Sequence, residues 1–341
     1  MITPVFSEET RVVTDMAGRE IIIPKDNARF ATLGGPLTQL PYIFGAGDQI
    51  IAMSEGGNSS LMLELDPGVK SKPIVRTCSG STNIEELLKA NPDAVIAFMT
   101  DGQIVEAKSS IPVIYYLSSM SDTYDDLKYQ MSVLGEVFNN PEAAIRYNAY
   151  LDETLALIQD RVGSIPEDER KVVFLGEGQH HLASVGGDTF ISQNIMQAAG
   201  LVNAIDNIRS AQAKEVGLHK GFAEISMENV IWANPDIILI DVGKPDDILS
   251  ADQWKSIKAV RNGEVYIRPS GLFTWSRPSA ESAVLFPLWL AITAYPERFS
   301  DISLHDEVKR FYREIFGTEF SDESIDRIIQ GAYASEFLSM N

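Results

Sequence analysis

A single cysteine, Cys78, stands in a chain of 341 residues. No internal disulfide can form, and neither a cysteine-based zinc site nor an iron–sulfur cluster can be built. Sparse cysteine fits the cytosol and many exported bacterial proteins alike, so it leaves the compartment open. No apolar run reaches the length of a membrane-spanning helix. The best candidate, 284–294, is short and contains Pro287 and Trp289, which reads as a core helix. Positive charge is scarce, with 28 Lys+Arg against 48 Asp+Glu and a formal net charge of -20. Nucleic acid is excluded as a partner, because phosphate contacts need a basic footprint. An acidic surface of this kind keeps a chain soluble and monomeric without naming a ligand. Enzyme signatures are missing as well: there is no G-x-S-x-G elbow and no H-E-x-x-H pair. Asp188 lies near His181, but no nucleophile sits at a recognisable turn, and Gly186-Gly187-Asp188 reads as a turn before a helix at Thr189. Residues 1–10 carry no basic stretch and no apolar core, so no signal peptide is expected in them. A cytosolic protein and a mature exported form both fit.

What the chain does have is an internal repeat. Residues 84–98 read IEELLKANPDAVIAF and residues 227–241 read MENVIWANPDIILID. Glu85, Asn91, Pro92 and Asp93 correspond to Glu228, Asn234, Pro235 and Asp236, each 143 residues on (228−85, 236−93). Each copy predicts a short helix, an Asn-Pro-Asp turn and a buried strand of the parallel-sheet type. Proline cannot continue the helix, and Asp favours the turn. A second echo lies upstream. Segments 36–47 and 189–200 are both helix-like, end in a glycine stop, and follow apolar strands at 29–33 and 171–175.

Alternating elements of this kind imply α/β lobes with mostly parallel sheets. We therefore expect two Rossmann-like lobes, 1–139 and 164–341, joined by a single long α-helix at 140–163, with the ligand cleft between them. Asn140 is a good N-cap, Pro141 suits the first helical position, and Glu142 suits the positive helix end. Apolar residues recur at Ile145, Ala149, Leu151, Leu155 and Ile158, and Gly163 and Pro166 end the run. One helix of about 22 residues, roughly 33 Å long, is predicted. A stiff rod permits only small opening and closing motions. The N-terminus predicts a β-hairpin around Met16 to Arg19, and the region from Ser303 predicts helices packed on the second lobe.

Open α/β sheets bind ligands outside the carboxyl ends of their strands. That rule selects the candidate ligand contacts, each with a plainer alternative. Trp275 offers a flat apolar face and Arg277 a planar fork for carboxylate or phosphate groups. The plainer reading makes Trp275 core and pairs Arg277 with Glu281. His180 and His181 follow a strand of the second lobe, yet adjacent histidines cannot easily reach one ion. Gly34, Gly35 and Thr38 form a glycine turn before a helix, where backbone N–H groups can hold an anion or simply close a tight turn. Arg76 is a cleft candidate or half of a surface ion pair. Met99 and Thr100 either line the first lobe or close its core. No direct metal ligand set and no cofactor are expected.

The ordered motifs VTDMAGREIIIP, RFATLGGPLTQLPYIFGAGDQIIAM, NIEELLKANPDAVIAF, IPVIYY, GGDTFISQNIMQAAGLVN, EISMENVIWANPDIILI, WKSIKAVRNGEVYIRPSGLFTW and LWLAITAYPERF span nearly the whole chain. In that order they resemble the class III periplasmic binding proteins, which serve ABC importers of ferric siderophores, haem and cobalamin. The resemblance implies two α/β lobes on a single long helix, a non-enzymatic role, and an extracytoplasmic location, periplasmic or lipid-anchored. It implies an ABC permease and ATPase as partners and an Fe(III) chelate such as a ferric siderophore as ligand, with haem or cobalamin as alternatives. It also implies that Glu85 and Glu228 dock onto permease arginines. Read locally, the same two acids cap helices, Glu85 through a Thr82 capping box and Glu228 beside a cap at Ser226. Bare metal-ion binders of the family use histidines from both lobes, and here the first lobe has none. Outside the resemblance, a cytosolic metal-assisted α/β hydrolase using His180 and His181, or a surface adhesion protein, are the competing readings.

Overall fold

A computed structural model describes residues 9–77, 80–117, 123–176, 178, 183–185, 189–206, 222–275, 277, 279–334 and 336. The chain enters as the expected hairpin, β1 (Thr10–Thr14) antiparallel to β2 (Glu20–Pro24), with Gly18 at φ 74 in the turn. Buried Asp15 holds that turn, accepting from the backbone N–H groups of Ala17 and Arg19 at 2.9 and 3.0 Å.

The first lobe follows with β3 (Phe30–Leu33), β4 (Ile50–Ser54), β5 (Ile74–Arg76), β6 (Ala94–Phe98) and β7 (Val113–Tyr116). They form a parallel sheet in the order β5-β4-β3-β6-β7. The second lobe supplies β8 (Val172–Gly176), β9 (Ala183–Val185), β10 (Val202–Asn203), β11 (Phe222–Glu224), β12 (Ile237–Ile240) and β13 (Val265–Ile267). Its order is β11-β9-β8-β12-β13, with β10 also on β8; β8, β10, β12 and β13 run parallel, and β9 pairs antiparallel with β8 and β11. Buried apolar strand runs of this type need cover on both faces, which the flanking helices provide.

The duplication reaches the hydrogen-bond register. Phe30 pairs with Ala94, and Val173 pairs with Ile237, each partner again 143 residues on (173−30, 237−94). Asn91 and Asn234 close their helices in the left-handed conformation, at φ 51 and 43. Asp93 and Asp236 then accept from the backbone N–H groups of Arg29 and Val172, at 2.8 and 2.9 Å. The Asn-Pro-Asp turn thus ties each helix end to the root of its lobe's central strand.

The rod runs Pro141–Val162, 22 residues, with Asn140 accepting from the Ala143 N–H at 3.2 Å. Its buried face keeps Leu151 and Ile158 of the expected stripe but not Ile145, which is 68% exposed, or Ala149; Tyr147, Tyr150 and Thr154 face inward with them. Tyr147 donates to the Ala280 carbonyl at 2.8 Å, fastening the rod to the helix Ala280–Ala294. The segment after Thr189 also departs from a regular helix, widening to a π-helical turn over Ile191–Met196.

The C-terminal helices Leu304–Phe311 and Asp322–Ile329 correct another expectation, because they bridge both lobes. Ser324 donates to Glu64 at 2.7 Å, and Ser60 donates to Glu336 through its backbone N–H at 2.8 Å. Arg310 pairs with Glu153 of the rod at 3.0 Å, while Tyr312 reaches Glu281 of the second lobe. The lobes are therefore strapped at two places, and one continuous apolar core runs through both.

Candidate functional site

The carboxyl ends of both sheets meet where Phe273 of the second lobe crosses Gly35 of the first. A Cβ at Gly35 would stand 2.4 Å from Phe273 Cε2, so only glycine lets the lobes approach this closely. Gly34 plays the same part within its own lobe, where a Cβ would stand 2.7 Å from Phe98. The Thr38 hydroxyl is buried and committed internally, 3.0 Å from the Thr32 hydroxyl and donating to the Gly34 carbonyl at 3.4 Å. The glycine turn is accordingly a fitted junction with an aromatic ring laid over it, and Thr38 props it rather than facing a ligand.

On the second lobe, Arg268 leaves β13 with 1% of its surface exposed. Its guanidinium pairs with Asp241, the residue after β12, and donates to the Thr274 hydroxyl. Burial pushes its pKa well down, and the nearby positive charge of half-buried Arg277 pushes in the same direction. Two guanidiniums therefore share this end of the sheet. Nε of Arg268, the Ser270 hydroxyl and the Trp275 indole N–H are buried without a hydrogen-bond partner. Buried polar atoms left in this state mark places where a solvent or ligand atom completes the set.

Glu281 fixes the loop that carries these groups. Its fully buried carboxylate accepts from the backbone N–H groups of Leu272 and Phe273 at 2.9 and 3.0 Å, and from the Tyr312 hydroxyl. Burial raises its pKa to about 7, and those three donors pull it partly back. The plainer reading pairs Glu281 with Arg277; its carboxylate is turned onto the loop and Tyr312 instead. Trp275 is corrected the other way. Its ring is fully buried against Phe286, with centroids 6.2 Å apart, so the indole face is core and is not offered to a ligand ring.

On the first lobe, Arg76 is half-buried and paired with Asp101 at 2.9 Å, with Thr82 donating to the same carboxylate oxygen at 3.3 Å. Met99 and Thr100 are exposed and open the helix Met99–Lys108 at the end of β6. His180 and His181 lie outside the described residues. Among the described residues no group of three or more His, Cys, Asp or Glu could hold a metal ion. Sequence reading missed Arg268, Asp241 and Asp101, and reached Phe273 only as the start of the segment that carries Trp275 and Arg277. An arginine between apolar strand residues, in the run YIRP, was the available signal for Arg268.

Glu85 and Glu228 are exposed on the first turns of the helices Ile84–Ala90 and Met227–Ala233. The first helix is capped by Asn83, which accepts from the Glu86 N–H at 3.1 Å, so the Thr82 capping box does not form. Ser226 does cap the second, in a box with Asn229.

Residues 31–272 match the model of a family described as periplasmic binding protein. The chain is 25% identical to the molybdate-binding protein MolA of Haemophilus influenzae, covering 93% of this chain and 94% of that one. It is 23% identical to the Fe(3+)-citrate-binding protein YfmC of Bacillus subtilis, covering 80% and 81%. Among solved structures, a periplasmic solute binding protein of Veillonella parvula aligns over 96% of this chain and 99% of its own, with TM-score 0.79 and 23% identity.

Proposed function

This chain belongs to the periplasmic binding protein family, and from that premise we propose that it captures an anionic metal-containing solute, a ferric chelate with oxygen donors at its rim, for an ABC importer. Its role is that of a substrate-binding component and not of an enzyme. No covalent step is required: the solute is gripped between lobes and handed on. An extracytoplasmic site of action, periplasmic or lipid-anchored, follows from this role. None of the described helices is long and apolar enough to cross a membrane.

The observation that carries the ligand class is the Arg268–Arg277 pair at the carboxyl end of β13. Two guanidiniums are gathered at one sheet end, Arg268 against Asp241, in a chain whose formal charge is -20. Confining like charges away from water is unfavourable until an anion joins them. Arginine also suits the task geometrically, since its fork matches carboxylate oxygens two at a time. On the first lobe, exposed Met99 and Thr100 follow the carboxyl end of β6, and Arg76 at the end of β5 adds a further, partly neutralised, cation.

A second reading, a tetrahedral oxyanion of the molybdate type, is favoured by the 25% identity to MolA across 93% of the chain. The same two arginines serve either anion. Calorimetric titration with ferric citrate, a ferric catecholate, haem, cobalamin and molybdate separates the readings. We expect saturable binding of an anionic member, weakened at least about tenfold in Arg277→Ala, because a charge-assisted hydrogen bond contributes about 1.5–3 kcal/mol. Binding of cobalamin alone, indifferent to that substitution, would overturn the anionic assignment.

A further inference from the structure

One short stretch near the end of the chain, 324–336, touches both lobes. Toward the first lobe it meets the helix Ser60–Leu65. Ser324 donates to Glu64 Oε2 at 2.7 Å, and the hydroxyl of Tyr333, a fully buried residue, donates to Glu64 Oε1 at 3.4 Å. The Glu336 carboxylate accepts from the Ser60 backbone N–H and hydroxyl at 2.8 and 2.5 Å. It does so at the helix end where negative charge is stabilising.

Toward the second lobe the same stretch meets the main chain of the loop that carries the two arginines. The Ile328 carbonyl accepts from the Ser270 N–H at 3.2 Å. Gly331, at φ 70, lies so close to Arg268 that a Cβ would overlap the Arg268 carbonyl oxygen and the Ile267 side chain. Leu272 and Phe273 are held by Glu281, which Tyr312 of the preceding C-terminal helices supports. The loop is thus backed at four positions, directly or through Glu281, by C-terminal residues. Between β13 and the helix Ala280–Ala294 its described residues have one bridge of their own, Ser270 to Thr274.

An arginine fork grips an oxyanion well only when its donors are held to within about half an ångström. A loop supported from behind takes the position of its support. This support is fastened to Ser60 and Glu64, so a change in the first lobe reaches the arginines without passing through the solute or the rod. We propose that stretch 324–336 is a wedge that sets the Arg268–Arg277 loop against the first lobe, and that Glu64 and Ser324 are positioning residues for anion binding, acting through the main chain of Arg268 and Ser270. The inference rests on the anionic-solute reading and deepens it by giving first-lobe residues a part in the second lobe's grip.

The test measures affinity and release rate of ferric citrate and of molybdate for the full chain, by calorimetry and stopped-flow, with unfolding curves alongside. Residues outside a site alter it by about two- to thirtyfold when a packed chain of contacts connects them. Glu64→Ala and Ser324→Ala each weaken binding of the probe that wild type binds about fivefold, chiefly through faster release. Glu64→Gln, which keeps an acceptor for Ser324, stays within about twofold of wild type. Lys309→Ala breaks a 2.6 Å ion pair to Asp322 inside the C-terminal helices, and it leaves affinity within about twofold. In an Arg277→Ala background the Glu64→Ala effect shrinks below about twofold, because both changes act on one loop. Affinity unmoved by Glu64→Ala and Ser324→Ala overturns the proposal. So does a full fivefold loss persisting beside Arg277→Ala, which would make the contact a matter of general stability. A wild-type chain that binds neither probe overturns the anionic-solute reading itself, and is told apart because it needs no variant.

Discussion

The two lobes share a ladder register and an Asn-Pro-Asp turn, yet they treat buried polar groups differently. At the strand ends of the first lobe, Thr38 meets Thr32 and Arg76 meets Asp101. Two buried orphans close to these strand ends, the Gln39 amide and the Ser54 hydroxyl, are neutral. At the equivalent end of the second lobe, the Arg268 guanidinium and the Glu281 carboxyl group are buried, at 1% and 0% exposure, on either side of one loop. The comparison shows how a duplicated frame diverges. Main-chain geometry stays fixed because each turn closes its own hydrogen bonds, while the loops beyond the strands are free to take on charge. Desolvating that charge is destabilising, and the loss is tolerated where a ligand or a loop constraint repays it.

Glu281 gives the largest expected break between the lobes. Its pKa is raised to about 7 by burial, above the ordinary carboxylate range of an unfolded chain. The group's contribution to stability is therefore complete below about pH 4.5 and declines as pH rises through about 7. Wild type should lose about 3 kcal/mol across that interval from this residue alone. Glu281→Gln keeps the acceptor for Leu272 and Phe273 and cannot ionise, so its stability should stay flatter between pH 5 and pH 8. Denaturant unfolding of both proteins at each pH checks this. Parallel pH profiles would show that the carboxylate is held ionised and that the loop is stabilised by its charge.

Where the lobes are built alike, removal should cost alike. Asp93→Ala strips an acceptor from the Arg29 N–H, and Asp236→Ala strips one from the Val172 N–H. Each is expected to lower stability by about 1 kcal/mol, with the two values within about 0.5 kcal/mol of one another. The sites lie in separate lobes with no shared partner, so the double variant should show the sum. A large inequality would mean that the turns are alike in shape only.

The parts legible in sequence are those governed by local chemistry. The Asn-Pro-Asp turn, the capped proline start of Pro141–Val162 and the hairpin each depend on a few adjacent residues, and each is found where expected. The phase of the rod was legible only in part, at Leu151 and Ile158. Tyr147 and Tyr150 tolerate either environment, and only the helix Ala280–Ala294 and the Arg310 side chain, packed later, decide that they turn inward. The C-terminal helices announced themselves by period, yet nothing in a period says that Ser324 will reach Glu64 across the molecule. The loop after β13 was identified from its position past a strand, whereas the burial of Trp275 depends on Phe286. A lone acid opening an otherwise apolar helix was the available sign of Glu281.

The finest comparison concerns Asn91 and Asn234. Both sit in the left-handed region, at φ 51 and 43, where an L side chain is strained and glycine is not. Replacing either by glycine relieves that strain in the folded state and adds freedom to the unfolded chain, two effects of opposite sign. The Asn91 carbonyl accepts from the Arg29 guanidinium, a backbone contact that a glycine keeps. Asn234, however, also accepts from the Lys258 N–H at 2.9 Å through its side-chain oxygen. Asn91→Gly should therefore change stability by no more than about 0.3 kcal/mol, while Asn234→Gly should cost about 0.5–1 kcal/mol more by leaving that N–H to water. Matched chemical denaturation curves resolve the difference, and equal effects would show that the Lys258 contact adds nothing and that the two turns are energetically one.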